Sequence, residues 1–146
     1  MLQFSDITIN WKPLESYADM PQITSSQMSA DVLRTYWTDR LCYKEEFYIL
    51  LLSQSNRVLG ISKISEGGLS GTVVDVKMIF QAALKANAAK IILAHNHPSG
   101  NLSPSPQDRR LTRKICEAAL LLDMRVLDHI ILSYDDYYSF SDEGIL

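Results

Sequence analysis

The sequence has little of what marks secreted, membrane-embedded or disulfide-linked proteins. Only two cysteines occur among 146 residues, Cys42 and Cys116, and they form neither a disulfide framework nor a Cys-x-x-Cys site. No apolar run approaches the roughly 18 residues of a membrane-spanning helix. The N-terminus also lacks the basic and apolar regions of a signal peptide. We therefore expect a cytoplasmic protein with reduced thiols and no membrane partner.

Positive charge is not in excess either. The 14 lysines and arginines are outnumbered by 17 aspartates and glutamates, which gives a net charge of -3. Proteins that hold DNA through its phosphates usually carry a basic surface, so we expect DNA binding to be weak and without sequence preference. The basic residues that do cluster are interpreted as the solvated face of one predicted helix: Arg109, Arg110, Arg113 and Lys114.

The remaining composition is that of an ordinary globular domain. Hydrophobic residues make up 47% of the chain and charged residues 21%, and the length suits a single core. Residues 1–28 have the least regular pattern and are expected to form an N-terminal arm. Within it, Ile7, Ile9 and Trp11 alternate with polar residues, which predicts a short strand. Residues 29–146 are expected to form the domain.

Hydrophobic periodicity predicts helices and strands in mixed order along that domain. Helices are predicted at residues 26–40, 76–86 (capped by Asp75) and 106–122. Strands are predicted at residues 45–52, 57–64, 90–94, 125–132 and 137–140, the first two joined as a hairpin. The first helix is expected to bury Leu33, Tyr36, Trp37 and Leu41, and the last helix Leu111, Ile115, Ala118 and Leu122. This order favours an α/β fold with a mixed sheet.

One loop carries the residue types of a metal site. His95 and His97 stand two apart at the end of a predicted strand, where side chains at i and i+2 lie on the same face. Asp108 follows in the first turn of the next predicted helix, and the Gly- and Pro-rich loop can return that turn to the strand. Two histidines and one carboxylate, with a fourth position open, are a common catalytic zinc set. The sequence therefore predicts a zinc site on these three residues.

The same residues also have ordinary explanations. A His-x-His pair can lie in a turn without any metal. Ser105-x-x-Asp108 is a capping box for a helix that begins at Pro106. The two explanations are compatible, because a carboxylate held in the first turn of a helix is already oriented. The combination of strand end, turn-rich loop and acid favours the metal.

His-x-His followed by seven residues, serine, two residues and aspartate matches the JAB/MPN metalloenzyme (JAMM) motif. The surrounding segments ILAHNHPSGNLSPSPQD, RVLDHIIL, YYSFSDEG and GTVVDVKMIFQAALKANA resemble the RadC family of bacterial JAMM-domain proteins, and the resemblance covers roughly residues 28–146. It implies a cytidine-deaminase-like α/β/α sandwich and one zinc ion per chain on His95, His97 and Asp108. It also implies a historical link to DNA repair.

The resemblance further implies a glutamate general base at the start of a strand. The family pattern of glutamate, one residue and phenylalanine matches Glu45, Glu46 and Phe47, which makes Glu45 the counterpart. Adjacent strand residues point to opposite faces, so only one glutamate can face the site, and the other is expected at a solvated strand end. Ser105 is implied to hydrogen-bond the oxyanion of a tetrahedral intermediate.

The chain departs from related sequences in two respects. Many JAMM peptidases have serine or threonine between the histidines, where this chain has Asn96, as its RadC-like relatives do. Family members often carry a helix-hairpin-helix segment ahead of the domain, and residues 1–28 are too short for one, which weakens the expected DNA link. His129 follows the family pattern after Asp128. We interpret it as structural, bonded to Asp128 or a backbone group, and only secondarily as a support for the metal ligands.

Three functions are open at this point. The first is a zinc metallohydrolase that cleaves a peptide or isopeptide bond in a protein or peptide substrate. Glu45 would move the proton, and no cysteine nucleophile would take part. The second is a DNA-maintenance accessory module that binds metal without peptidase activity. The third is a scaffold stabilised by the metal. The complete set of glutamate, histidines, serine and aspartate favours the first.

Overall fold

The structure is a computed structural model that describes residues 1, 3–8, 10–12, 16–37, 41–67 and 73–146. The helices in these ranges are a short 3-10 helix (Tyr17–Asp19), α1 (Ser26–Trp37), α2 (Val76–Lys85) and α3 (Pro106–Leu121). The strands are β1 (Glu46–Leu52), β2 (Val58–Glu66), β3 (Lys90–Asn96), β4 (Arg125–Leu132) and β5 (Tyr137–Ser139). No helix in the described ranges has the length and apolar character needed to cross a membrane.

The strands form one mixed sheet in the order β2-β1-β3-β4-β5. β1 lies between β2 and β3 and is antiparallel to both. β3 and β4 are parallel, and β5 is antiparallel to β4. A parallel pair needs a crossover connection, and α3 supplies it. The loop that enters α3 therefore starts at the carboxyl end of β3, in the middle of the sheet.

Alternating side chains divide the core between the two faces of the sheet. Phe47, Ile49 and Leu93 are buried on one face together with residues of α2 and α3. Tyr48 and Leu50 are buried on the opposite face together with residues of α1. This period of two is what a strand covered on both sides requires. The helices thus form layers on both faces, and the predicted α/β/α arrangement is confirmed.

Most predicted elements are confirmed, with bounds that differ by at most two residues. The exception is the end of α1, where Trp37 is the last helical residue and the predicted residues 38–40 lie outside the described part of the chain. Asp75 caps α2 by accepting a hydrogen bond from the main-chain N–H of Lys77. A left-handed residue, Asn87 with φ of 55°, follows the end of that helix. Pro106 begins α3 after a capping box. β1 and β2 form the predicted hairpin.

The predicted N-terminal strand is wrong for the part of it that the structure describes. Residues 3–8 and 10–12 have no regular secondary structure, and Ile9 lies outside the described residues. Ile7 is 86% exposed. Alternation of apolar residues stabilises a strand only where a neighbouring strand supplies hydrogen bonds and a buried face, and residues 3–8 and 10–12 form no such pairing.

Two of the predicted buried stripes are partly wrong. α1 turns Leu33 and Trp37 onto the sheet and leaves Tyr36 exposed, with its ring edge-on to Tyr48 at 5.7 Å. Leu122 is 42% exposed, and it is the C-terminal cap residue of α3, beyond the last helical residue. Leu41 is buried as expected but lies beyond the end of α1, and residues 38–40 are outside the described part of the chain.

A single buried amide ties the end of β3 to the segment before β1. The Oδ1 atom of Asn96 accepts a hydrogen bond from the Glu46 N–H at 2.7 Å. Its Nδ2 atom donates to the carbonyl oxygens of Leu41 and Lys44 at 2.9 Å each. A serine or threonine hydroxyl has one proton and could not donate twice. Asparagine between the two histidines therefore anchors the chain on which Glu45 stands.

Replacing this amide should destabilise the fold. Asn96→Ala removes all three hydrogen bonds of a buried side chain. At about 1 kcal/mol each, the free energy of unfolding should fall by about 3 kcal/mol. Urea unfolding followed by circular dichroism, with a chelator present to exclude metal effects, measures the change. Asn10→Ala makes the same substitution at an exposed position and should have little effect. Equal stabilities of the two variants would contradict the anchoring role.

Candidate metal site

The end of β3 delivers two imidazole rings to one place. His95 pairs with Phe47 of β1 and Ile131 of β4, so it stands in the centre of the sheet and is 1% exposed. His97 follows the end of the strand, and its N–H donates to the carbonyl oxygen of Leu132 at 2.8 Å. The two Nε2 atoms lie 2.9 Å apart. The side chains share one face, as their spacing of two predicts.

The N-terminal cap of α3 brings a carboxylate to the two rings. Ser105 Oγ accepts from the Asp108 N–H at 3.0 Å, and the Ser105 N–H donates to Asp108 Oδ2 at 2.8 Å. Asp108 Oδ1 lies 3.5 Å from His95 Nε2, and Oδ2 lies 3.6 Å from His97 Nε2. The capping box and the candidate ligand set are thus one geometry, which reconciles the two explanations left open by the sequence.

Glu45 completes the cluster from just before the neighbouring strand, β1. It directly precedes β1, and its Oε1 atom lies 3.9 Å from His95 Nε2. One ligand atom from each of four residues lies within 4.8 Å of all the others: Glu45, His95, His97 and Asp108. The structure therefore brings together all three sequence-predicted ligands and the glutamate chosen by the family pattern.

Glu46 points to the opposite face of the sheet, as the alternation of strand residues requires. It is fully buried, so the expectation that the second glutamate ends in solvent is wrong. Its Oε2 accepts from the hydroxyl of Tyr48 at 2.9 Å, and Lys63 Nζ lies 3.7 Å from Oε1. A buried carboxylate needs such partners, and they hold Glu46 away from the histidines.

The charges in the cluster shift one another's protonation. Burial disfavours the charged form of Asp108, yet hydrogen bonding to the two rings lowers the pKa of this carboxyl well below its usual value. Burial also opposes charge on His97, but its contacts with Asp108 and Asn101 raise the pKa of the ring overall. For Glu45, burial raises the pKa, and the neighbouring histidines offset only part of that increase.

The second nitrogen of each ring has its own partner. His97 Nδ1 is hydrogen-bonded to the carbonyl oxygen of Asn101, which can only accept, so Nδ1 carries a proton. In the neutral ring, Nε2 therefore has the free lone pair. His95 Nδ1 lies 2.7 Å from Nε2 of His129. The expected bond between His129 and Asp128 exists through the main chain, whose N–H donates to the carboxylate at 2.7 Å.

Two residues at the site were not found from the sequence. Thr112 Oγ1 lies 2.6 Å from His129 Nδ1, and the carbonyl of Asn101 holds His97. Thr112 stands one helical turn after Asp108, and that spacing was the available signal. Every residue has a main-chain carbonyl, so the sequence does not indicate which carbonyl, such as that of Asn101, accepts from a ligand.

The donor set fits one divalent cation. The two Nε2 atoms are separated by 2.9 Å, a gap that two zinc–nitrogen bonds of about 2.0–2.1 Å can span. Both carboxylate oxygens of Asp108 face this gap and supply negative charge. The side chains of Glu45 and Asp108 remain 21% and 16% exposed, so the cluster is open to solvent. Within the described ranges, no other group of three or more potential ligands converges in this way.

Comparisons with known proteins identify the family. The pattern of the RadC-like JAB domain matches residues 23–145. A UPF0758 protein of Flavobacterium johnsoniae is 48% identical over 101 residues, which are 69% of this chain and 44% of that protein. One of Porphyromonas gingivalis is 43% identical over 132 residues, 88% of this chain and 57% of that protein. UPF0758 protein YfjY of Escherichia coli is 38% identical over 123 residues, 84% of this chain and 76% of that protein.

The family match extends over most of the chain and spans every residue of the cluster. The chain spans 44% and 57% of the length of the Flavobacterium and Porphyromonas proteins, so those proteins have further segments with no counterpart in the matched region. The mixed sheet and three helices agree with the same assignment. This chain belongs to the RadC-like JAB domain family.

Proposed function

We propose that this chain is a zinc-dependent hydrolase that cleaves a peptide or isopeptide bond in a protein or peptide substrate. The cluster at the end of β3 carries the proposal, because two imidazoles and a carboxylate face a common point with a second carboxylate beside them. Catalytic zinc sites have three protein ligands and an open position, whereas structural sites have four. Membership of the JAB family, whose members are often hydrolytic, supports the same conclusion.

His95, His97 and Asp108 are the residues that would hold the ion. Imidazole nitrogen and carboxylate oxygen are ligands that zinc commonly takes in proteins. When bound there, zinc would lower the pKa of a water molecule to about 7 and polarise a substrate carbonyl.

Glu45 is suited to move the proton. Its carboxylate lies at the rim of the cluster, with Oε1 3.9 Å from His95 Nε2, slightly farther than the oxygens of Asp108. Burial raises the pKa of Glu45, and a base performs best when its pKa approaches the working pH. Glu45 would take a proton from the attacking water and pass it to the leaving amine.

Ser105 is suited to stabilise the oxyanion. Its hydroxyl accepts a hydrogen bond from the Asp108 N–H, so its own proton remains for donation. The cap fixes the position of this hydroxyl before substrate arrives, and a preorganised donor of this kind stabilises a developing negative charge.

The cysteines do not fit a thiol mechanism. Cys42 is exposed, and the ligand cluster of the described residues contains no cysteine. Burial raises the pKa of Cys116, which disfavours the reactive thiolate. The proposed reaction therefore proceeds without an acyl-enzyme.

The zinc site predicts a simple stoichiometry. Metal-free protein dialysed against zinc should bind one ion per chain by elemental analysis, and His95→Ala/His97→Ala and Asp108→Asn should each lose most of it, because a ligand is removed. Asp123→Asn is the matched control at an exposed position and should bind normally. Full zinc content in the double histidine variant would contradict the ligand assignment.

Glu45→Gln should separate binding from catalysis. The variant should retain zinc, because Glu45 is not among the three ligands, while turnover should fall by at least about 100-fold for want of the proton-transfer group. Quenched fluorescent peptides and lysine isopeptide conjugates serve as substrates, and exposed Glu143→Gln is the control.

Chelation should abolish hydrolysis of these substrates, zinc should restore it, and iodoacetamide should leave it unchanged. Failure of the zinc-loaded protein to cleave any of them, or activity that survives chelation, would refute the hydrolase. A Glu45→Gln variant that loses its zinc would instead show that Glu45 is a ligand.

Zinc affinity should weaken in acid. The pKa of His97 is raised, so a proton occupies this ring up to a higher pH than usual, and that proton competes with the metal for Nε2. As pH falls through this pKa, affinity should drop by about tenfold per pH unit for each proton displaced. Calorimetry in buffers of different ionisation enthalpy counts the protons released. Affinity that is constant across roughly pH 6–8 would show that His97 does not compete.

A further inference from the structure

We propose that Thr112 and His129 are positioning residues that fix the protonation of the His95 ring, so that its Nε2 lone pair always faces the ligand cluster. The inference rests on the proposed metal site. It concerns a series of three hydrogen-bonded side chains behind the cluster, His95 on β3, His129 on β4 and Thr112 on α3.

This series of hydrogen bonds ends at the main-chain carbonyl of Asp108. Thr112 Oγ1 lies 2.7 Å from this oxygen, one turn earlier in α3. A carbonyl oxygen has no proton, so the single hydroxyl proton of Thr112 must lie in this bond. Thr112 Oγ1 can then only accept from its other neighbour, His129 Nδ1, at 2.6 Å. His129 Nδ1 therefore carries a proton.

His129 is held as a neutral ring by its surroundings. It is fully buried, stacked on Phe140 with ring centroids 4.6 Å apart, and edge-on to Phe47 at 5.6 Å. A charged imidazole in this fully buried, aromatic environment would lack the solvation that water gives it. A neutral imidazole has one N–H, and in His129 it is on Nδ1. Nε2 of His129 is then an acceptor.

The hydrogen bond between His129 and His95 determines which nitrogen of the His95 ring is protonated. Its Nδ1 atom lies 2.7 Å from the acceptor Nε2 of His129, so Nδ1 of His95 must donate. The neutral His95 ring then has no proton on Nε2, the atom that lies 2.9 Å from His97 Nε2 and 3.5 Å from Asp108 Oδ1. The protons of these three hydrogen bonds, on His95, His129 and Thr112, therefore all point away from the ligand cluster.

The reverse arrangement would block the site. If His129 donated through Nε2, His95 Nδ1 would accept and its proton would move to Nε2, where a metal must bind. Thr112 prevents this by offering His129 Nδ1 an oxygen that accepts. His97 is fixed separately, by the carbonyl of Asn101, so a change at Thr112 should affect one ring and leave the other unchanged.

Thr112→Val and Thr112→Ser test the proposal as a matched pair. Valine keeps the shape of threonine without the hydroxyl, and serine keeps the hydroxyl without the methyl group. Long-range proton–nitrogen NMR correlations of metal-free protein at about pH 8, where ordinary histidines are neutral, report which ring nitrogen is protonated.

We expect the proton on Nδ1 of His95 and His129 in the wild type and in Thr112→Ser. In Thr112→Val, His95 should shift toward the Nε2-protonated form, while His97 stays unchanged. The dissociation constant for zinc, measured by competition with a chromophoric chelator, should rise about 10–100-fold in Thr112→Val and much less in Thr112→Ser. A role in packing alone would change the free energy of unfolding without moving the proton.

A second pair covers the case in which Thr112→Val does not fold. His129→Gln retains one donor and one acceptor and should preserve the His95 proton position, whereas His129→Leu should lose it. If His95 keeps its Nδ1 proton in Thr112→Val or in His129→Leu, the proposal is wrong. The NMR result needs neither zinc nor hydrolysis, so a wild-type protein that binds no zinc would refute the proposed function and leave this test standing.

Discussion

Two imidazole nitrogens that face each other across 2.9 Å impose the central constraint on this structure. Nδ1 of each ring is engaged elsewhere, so the pair of Nε2 lone pairs is stable only with positive charge beside it, either a proton or a metal ion. Burial of His95 strengthens this requirement, because electrostatic interactions grow as water is excluded. Asp108 favours that positive charge from the other side, because its lowered pKa keeps the carboxylate negatively charged.

The structural features that position the histidines and Asp108 also stabilise the fold. The parallel pairing of β3 with β4 requires a crossover, and the crossover begins where the histidines lie. The capping box that starts α3 satisfies main-chain donors and at the same time aims Asp108 at the rings. Asn96 binds three main-chain groups and holds the start of β1 beside the end of β3. Loosening any of these would disturb both the fold and the cluster.

Much of the fold and of the candidate ligand set could be predicted from local patterns in the sequence. The period of two in the strands and the helix caps predicted the mixed sheet and most element bounds. The same period places His95 and His97 on one face and separates Glu45 from Glu46. The Ser105-x-x-Asp108 capping box with Pro106 placed Asp108 in the first turn of a helix. These features depend on neighbours within about one turn or one strand, where backbone geometry alone relates sequence to space.

Other features were decided by strand register and packing between residues far apart in the chain. His129 reaches His95 because β3 and β4 pair in one particular register, and Thr112 reaches His129 because α3 packs over both. Glu46 is buried against Tyr48 and Lys63 rather than solvated, and the alternating N-terminal segment forms no strand among its described residues. The sequence by itself determined which residue types could form a metal site and on which face. Only the tertiary structure determined their partners, because hydrogen-bond donors and acceptors 17–34 residues apart meet through the register of the sheet.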